Sequence, residues 1–340
     1  MAMKLLFKRP GLHIYQSLKT PITVKAMAFS SLNPSAYLVT PAQLEIALKK
    51  NAPSKLSMAP RVIPICGAWF LPNDPEKRTG QQVFRQRRIA GARFFDLDKV
   101  ADTSSPYPHM LPSPEVFQEA MSELGVKRDD TLVVYDSAEL GIFSAPRVAW
   151  TLRIFGHPEV HILNNFKLWV EEGRPLEFGE PKAWDKTSYP LPELDKSKIL
   201  AFEEMKEIAK DANKEGREEV QILDARSEER WKGVEPEPRP GISSGHMPGS
   251  TSVPITELLD PKTKTFLSPE ELREVFKRKG FNPDKPAISS CGTGVTAALI
   301  DAALMEAGYG SGSRRVYDGS WTEWAQRVQP SDNLIIKSSG

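Results

Sequence analysis

Cysteine is scarce in this chain: Cys66 and Cys291 are the only two in 340 residues, and they stand far apart. That excludes a disulfide scaffold, suits a reducing compartment and, with no C-x-x-C pair, argues against a thiolate zinc site. An excess of charge of one sign is also missing. Lys and Arg number 45 against 44 Asp and Glu, a net charge of +1. Neither nucleic acid nor an acidic surface is therefore indicated as the main partner. No apolar run is long enough to span a membrane. One absence is local: Asp and Glu do not occur before Glu45. Lys4, Lys8, Arg9, Lys19 and Lys25 lie there among Leu5, Leu6, Phe7, Leu12, Ile14 and Leu18. Acid-poor, basic and amphipathic is the composition of a mitochondrial transit peptide. Residues 1–40 are read as such a targeting segment, outside the folded part. Met27 offers an internal start for a cytoplasmic product, and a disordered basic tail is the alternative reading.

What is present is a domain written twice. "MLPSPEVFQEAMSELGVKRDDTLVVYD" and "FLSPEELREVFKRKGFNPDKPAISSC" each run from a Ser-Pro helix start to a strand. Pro114 and Asp136 are 22 positions apart, as are Pro269 and Cys291; Asp136 to Trp169 and Cys291 to Trp324 are both 33. Gly91 and Gly249 open corresponding turns. Short apolar strands alternate with amphipathic helical stretches in each half. That predicts two α/β domains, each a mainly parallel sheet with helices on both faces. The first is placed at 41–178 and the second at 199–330. A Pro-rich linker at 179–198 wraps between them, and 331–340 forms a tail.

Cys291 heads "CGTGVT", between the apolar run "KPAISS" and the helical stretch "VTAALIDAALMEAG". A strand-to-helix loop puts the thiol near unpaired N–H groups and the positive end of a helix dipole, which favour a thiolate. A buried structural cysteine beside a tight turn is the alternative. Ligands of parallel sheets sit beyond the carboxyl ends of the strands, where Cys291 falls, so the functional reading is preferred. The first copy has Asp136 at this position. A carboxylate cannot replace a thiolate nucleophile, so the first domain is expected to be catalytically silent, with Asp136 capping the following helix. Cys66 ends an apolar run and is expected to be a buried strand thiol. A cysteine phosphatase is strongly disfavoured, because its chemistry needs an Arg six positions after the cysteine and Ala297 stands there.

These stretches, with "YDGSWTEW" (317–324), "FRQRRIAGARF" (84–94), "TSSPYPHMLP" and "SAPRVAW", resemble the tandem rhodanese family of sulfurtransferases over roughly residues 41–330. The uncharged loop "CGTGVT" is similar to that of the branch using 3-mercaptopyruvate, where thiosulfate enzymes carry basic residues. The resemblance implies a Cys291 persulfide, with no cofactor and no metal. It implies that Arg230 and Arg239 hold the donor carboxylate, and that Gly292, Thr293, Gly294, Val295 and Thr296 cradle the sulfur. The acceptor is expected to be cyanide, a small thiol, thioredoxin or a sulfur-carrier protein. The family also links the loop hydroxyl, here Thr293, to a His and an Asp of the first domain. "FRQRRIAGARF" puts Arg88 at the expected His position, with Asp74 as a candidate acid. Arg88 cannot serve as a base near neutral pH. His246 in "GHMPG" is expected to hold its own turn. A thiosulfate enzyme and a non-catalytic binding module remain the alternatives.

Overall fold

The computed structural model describes residues 32–51, 60–212, 220–310 and 314–337. The basic leader up to residue 31, with Met27, lies outside them. The first domain comprises β1 (Leu38–Val39), α1 (Pro41–Lys49), β2 (Val62–Cys66), α2 (Gly80–Gln86), β3 (Arg88–Ile89), β4 (Arg93–Phe94), α3 (Pro114–Glu123), β5 (Thr131–Tyr135), α4 (Ala145–Ile154), β6 (Glu159–Leu163), α5 (Phe166–Glu171) and β7 (Leu176–Glu177). The second comprises β8 (Ile199–Leu200), α6 (Phe202–Lys210), β9 (Gln221–Asp224), α7 (Glu228–Lys232), β10 (Ser250–Ser252), α8 (Pro269–Arg278), β11 (Ala287–Ser290), α9 (Ala297–Glu306), β12 (Arg314–Tyr317) and α10 (Ser320–Arg327).

Each domain is built on a five-stranded parallel sheet flanked by helices. The strand orders are β1-β6-β5-β2-β4 and β8-β12-β11-β9-β10, the same path traced twice. The central strands are buried along their whole length, as parallel strands covered on both faces must be. The repeat is also visible residue by residue. Ser113 and Ser268 cap α3 and α8, each ahead of a proline. Gly91 and Gly249 share a φ of +73°. Trp169 and Trp324 are fully buried, and each indole N–H donates to a carbonyl downstream, of Pro175 at 3.0 Å and Leu334 at 2.9 Å.

Two expected boundaries shift. Strand β1 precedes residue 41 and pairs with β6, and Leu32 and Tyr37 are buried, so the first domain begins inside the stretch assigned to targeting. At the other end, Ile336 exchanges backbone hydrogen bonds with His246, which fastens the tail to the second domain. The proline-rich linker does wrap. Tyr189 is buried against the first domain, its hydroxyl bonded to His157 Nδ1 at 2.8 Å and its backbone N–H to Ser122 Oγ at 3.1 Å. Among the described residues no helix is long and apolar enough to cross a membrane. One hydrophobic core runs continuously from the first domain into the second, through α4 and α9.

Candidate active site

Cys291 follows β11 directly and lines a cleft of about 220 Å³ between the domains. That is below the roughly 300–1,000 Å³ of a drug-sized site and suits a substrate of a few atoms. Trp69, Leu71 and Phe143 of the first domain face Arg230, Arg239 and the 291–296 loop of the second. The sheet-edge position read from the sequence is thus where the thiol lies. Cys66, at the matching end of β2, is buried, and burial pushes its thiol up to about 12. It is a strand residue, as its apolar surroundings suggested.

The loop is shaped from outside. Cys291 N–H donates to Ser320 Oγ at 3.1 Å, and Ser320 Oγ–H donates to the Tyr317 carbonyl at 2.8 Å. The Cys291 and Gly292 carbonyls accept from the N–H groups of Trp321 and Thr322. "YDGSWTEW" therefore acts as the brace of the cysteine loop. From Gly292 to Thr296 the backbone N–H groups donate to no protein acceptor among the described residues, which leaves a run of donors for an anion. The first domain shows what this arrangement does with a charge of its own. There the Asp136 carboxylate accepts from the N–H groups of Phe143 at 2.8 Å, Ser144 at 3.1 Å and Ala145 at 2.8 Å. It caps α4, as expected, and occupies the cradle that the second domain keeps open. Val295, Thr296, Thr293 and Gly292 line the cleft. Gly294, expected with them, is turned elsewhere. At φ +77° it is pressed so closely that a Cβ would stand 2.5 Å from the Asp318 carbonyl and 2.7 Å from Arg147 Nη1.

The two arginines are not equivalent. Arg230 donates through Nε, at 3.2 Å, and through Nη2 to Glu237 Oε2. Glu237 also accepts from Arg226 at 2.7 Å, and Arg226 is held by Asp224. Arg230 reaches the loop, since a Cβ on Gly292 would stand 3.4 Å from its Nη2. One edge of its fork is nevertheless committed to a buried carboxylate. Arg239 makes no hydrogen bond or ion pair among the described residues, and its charge interacts with Cys291 and Asp98. Burial lowers its proton affinity. Among the described residues the cleft thus has one uncommitted cation.

The structure corrects the expected hydroxyl relay. Arg88 is not near Thr293; its guanidinium donates to the Gly179 carbonyl at 2.7 Å and pairs with Glu177, tying β3 to β7. Asp74 pairs with Arg78 at 2.6 Å, which holds its carboxyl down to about 2. The residues that meet Thr293 are His109 and Asp98. His109 Nδ1 is 3.0 Å from Thr293 Oγ1, and His109 Nε2 is 3.0 Å from Asp98 Oδ1. The His109 bond keeps Asp98 low, outweighing its partial loss of solvation, and Asp98 also accepts from Trp69 Nε1 at 3.1 Å. An ionised carboxylate only accepts, so the proton sits on Nε2 and Nδ1 accepts from the threonine hydroxyl. Burial pushes His109 below the ordinary histidine value, which keeps it neutral near pH 7. His109 lies in "TSSPYPHMLP", a stretch already singled out. Its partnership with a residue 184 positions away left no local signal. His246 serves its turn instead, with Nδ1 bonded to the Trp231 carbonyl at 2.9 Å and its ring stacked on that indole.

One side chain ties these parts together. Arg147, in α4, is almost wholly buried and donates to Asp318 Oδ1 and to the His109 carbonyl, both at 2.6 Å, and to the Gly294 carbonyl at 3.3 Å. Asp318 Oδ2 accepts from Leu111 N–H at 2.9 Å. The first domain is therefore not a passive wall. It supplies the histidine, the acid and the arginine that sets the loop.

The family model described as the rhodanese-like domain matches residues 205–327. A Saccharomyces cerevisiae protein named thiosulfate sulfurtransferase TUM1 is 42% identical over 282 residues, covering 79% of this chain and 90% of that protein. The human 3-mercaptopyruvate sulfurtransferase is 39% identical over 271 residues, covering 78% and 85%. Among solved structures, the crystal structure of Tum1 from Saccharomyces cerevisiae superposes with a TM-score of 0.79 at 38% identity, over 91% of this chain and all of that one. A sub-stoichiometric sulfur transferase subunit of yeast mitochondrial complex I gives 0.78 at 36%, over 89% of this chain and all of that one.

Proposed function

This chain belongs to the tandem rhodanese-like sulfurtransferases, and on that premise we propose that it takes sulfur from 3-mercaptopyruvate onto Cys291 and passes it to a thiol, cyanide or a protein acceptor. The observation that carries the choice of donor is the charge of the cleft. The loop after Cys291 has no basic side chain. Arg226 and Arg230 are already matched by Asp224 and Glu237, whereas Arg239 has no carboxylate in ion-pair contact among the described residues. One free cation fits a monocarboxylate better than a doubly charged inorganic donor. An arginine also suits a carboxylate by its planar fork.

In the first half-reaction Arg239, with the free edge of Arg230, orients the donor carboxylate and keto group. The Cys291 thiolate attacks the donor sulfur. The new S–S bond forms as the C–S bond breaks, and the electron pair moves into the keto group as the pyruvate enolate. The enolate takes a proton and pyruvate leaves. That proton is the one the transferred sulfur gives up as the persulfide ionises, and the Thr293 hydroxyl, held by His109 and Asp98, can pass it on. The persulfide rests among the open N–H groups of the loop, which stabilise its charge. A second substrate then removes the outer sulfur. This is ping-pong covalent catalysis without a cofactor.

A second reading has thiosulfate as donor, and the name of the yeast relative favours it. Steady-state kinetics with both donors against a panel of acceptors separates the two. A higher kcat/KM for 3-mercaptopyruvate supports the proposal, and the reverse order replaces it. The composition of residues 1–40, together with the relative described as a subunit of yeast mitochondrial complex I, supports a mitochondrial destination. Residues 1–30 fused to a reporter should carry it into mitochondria, with the product from Met27 left outside. Diffuse signal from the fused leader ends that assignment.

A further inference from the structure

Behind the relay lies a second chamber, larger than the donor cleft, of about 550 Å³. Its walls are the 101–109 segment, the 239–242 turn and the Thr322–Gln326 side of α10. Asp98 and His109 line it, and Arg239 lines both this bay and the donor cleft. Arg239 is the only residue common to the two linings, and it has no hydrogen-bond partner among the described residues. Asp98 adds a second uncommitted group. Both of its bonds, from His109 and Trp69, end on Oδ1, and no bond among the described residues reaches Oδ2. The Asp98 side chain is 65% exposed. A free carboxylate oxygen and a free guanidinium therefore face one polar bay, close enough to feel each other's charge.

We propose that this bay is the acceptor subsite, and that it takes a zwitterionic amino-acid thiol. The proposal rests on the sulfurtransferase reading above. The acceptor's ammonium sits at Asp98 Oδ2 and its carboxylate at Arg239, with the thiol pointing past Arg239 to Cys291. One arginine serves both half-reactions because donor product and acceptor are never bound together in a ping-pong cycle. The acceptor thiolate attacks the outer sulfur of the Cys291 persulfide. A new S–S bond forms, the Cys291 S–S bond breaks, and its electron pair stays on Cys291 as the thiolate. The proton given up by the acceptor thiol balances that charge, so no oxidant or reductant is required. Acceptor and donor carboxylates compete for Arg239, so high cysteine should inhibit competitively against 3-mercaptopyruvate.

The test is single-turnover discharge of the persulfide formed on the full-length protein by 3-mercaptopyruvate, after the donor is removed. Cysteine, the uncharged 2-mercaptoethanol and cyanide are the three acceptors. Gln326→Trp fills the bay from α10 and Thr103→Trp from the opposite wall, and neither residue belongs to the donor site. Both variants should load sulfur as the wild type does. They should lose about tenfold or more in discharge to cysteine, the loss of one charge-assisted contact or greater. Cyanide, small enough for the donor cleft, should discharge both at the wild-type rate. In the wild type cysteine should outpace 2-mercaptoethanol, compared at equal thiolate concentration. Unchanged cysteine discharge in a folded, loading variant overturns the proposal, as does an equal loss with cyanide. Failure of the wild type to load any sulfur overturns the parent reading, and this proposal with it.

Discussion

At the residue scale the site is a division of labour among side chains of the same type. Of two thiols, one ends a strand within the core and one heads an open loop. Cys291→Ser should abolish sulfur transfer and leave the fold unchanged, whereas Cys66→Ser should keep nearly full activity; parallel activity and circular-dichroism measurements check both. Of the two arginines facing the loop, Arg239 is free and Arg230 is tied to Glu237. Arg239→Ala should lower kcat/KM for the donor by about tenfold to a hundredfold, the worth of a charge-assisted bond. Arg230→Ala removes a donor contact and also strands the buried Glu237, so it should reduce the melting temperature as well as the activity. Equal melting temperatures for the two variants would contradict that distinction. Cys291 was readable from its strand-to-helix loop, and Arg230 and Arg239 only through the family resemblance; the structure places all three on one cleft. The sequence did not show the relay. Arg88 stands at the expected position, whereas the histidine that meets Thr293 is His109, brought from another segment by the approach of the domains.

At the scale of elements, the cysteine loop takes its shape from the turn that starts α10. Ser320 holds a φ of +48°, unusual for a side chain other than glycine, and its hydroxyl bonds Cys291 N–H. Ser320→Ala leaves that N–H buried without its partner, which should cost about 1–3 kcal/mol of stability. It should also lower kcat, because the loop loses its brace; Ser320→Thr should recover less than the wild type. Chemical denaturation with kinetics on the same samples measures both effects. A variant of unchanged stability and kcat would show that the brace does not hold the loop. The elements themselves were legible from spacing. Equal intervals of 22 and 33 residues put Asp136 with Cys291 and Trp169 with Trp324, and the two strand paths coincide. The boundaries were less so. Strand β1 is two residues long, too short for a periodic signal, and it lies beside the basic leader whose composition hides it.

For the whole molecule, the candidate site is built from both domains where they meet, and Arg147 with Asp318 holds that junction. The pair is buried, and removing one partner leaves the other charge without compensation. Arg147→Met should therefore cost about 3–5 kcal/mol, measured by denaturant unfolding. It should also disable catalysis, because His109 and the Gly294 carbonyl lose the same donor. The stretch "SAPRVAW" marked this segment by resemblance, but nothing in it announces what Arg147 holds. Arg147 lies in a helix of ordinary composition, and its partners are 38, 147 and 171 positions away. Acid sensitivity is a property at this scale too. Burial holds His109, His161 and His246 below the ordinary histidine value and His157 at about 4. The unfolded chain thus binds more protons between about pH 6.5 and 4, so stability should fall as pH drops through that window. His157→Gln should flatten part of the slope in pH-dependent unfolding, and an unchanged slope would remove His157 from the account.

The most direct measurement is the mass of the protein after incubation with 3-mercaptopyruvate and no acceptor, followed by peptide mapping. The account expects one added sulfur atom per chain, on the peptide containing Cys291, with one pyruvate released and the sulfur lost again when thiol is added. An unmodified chain, or sulfur located on Cys66, would contradict it.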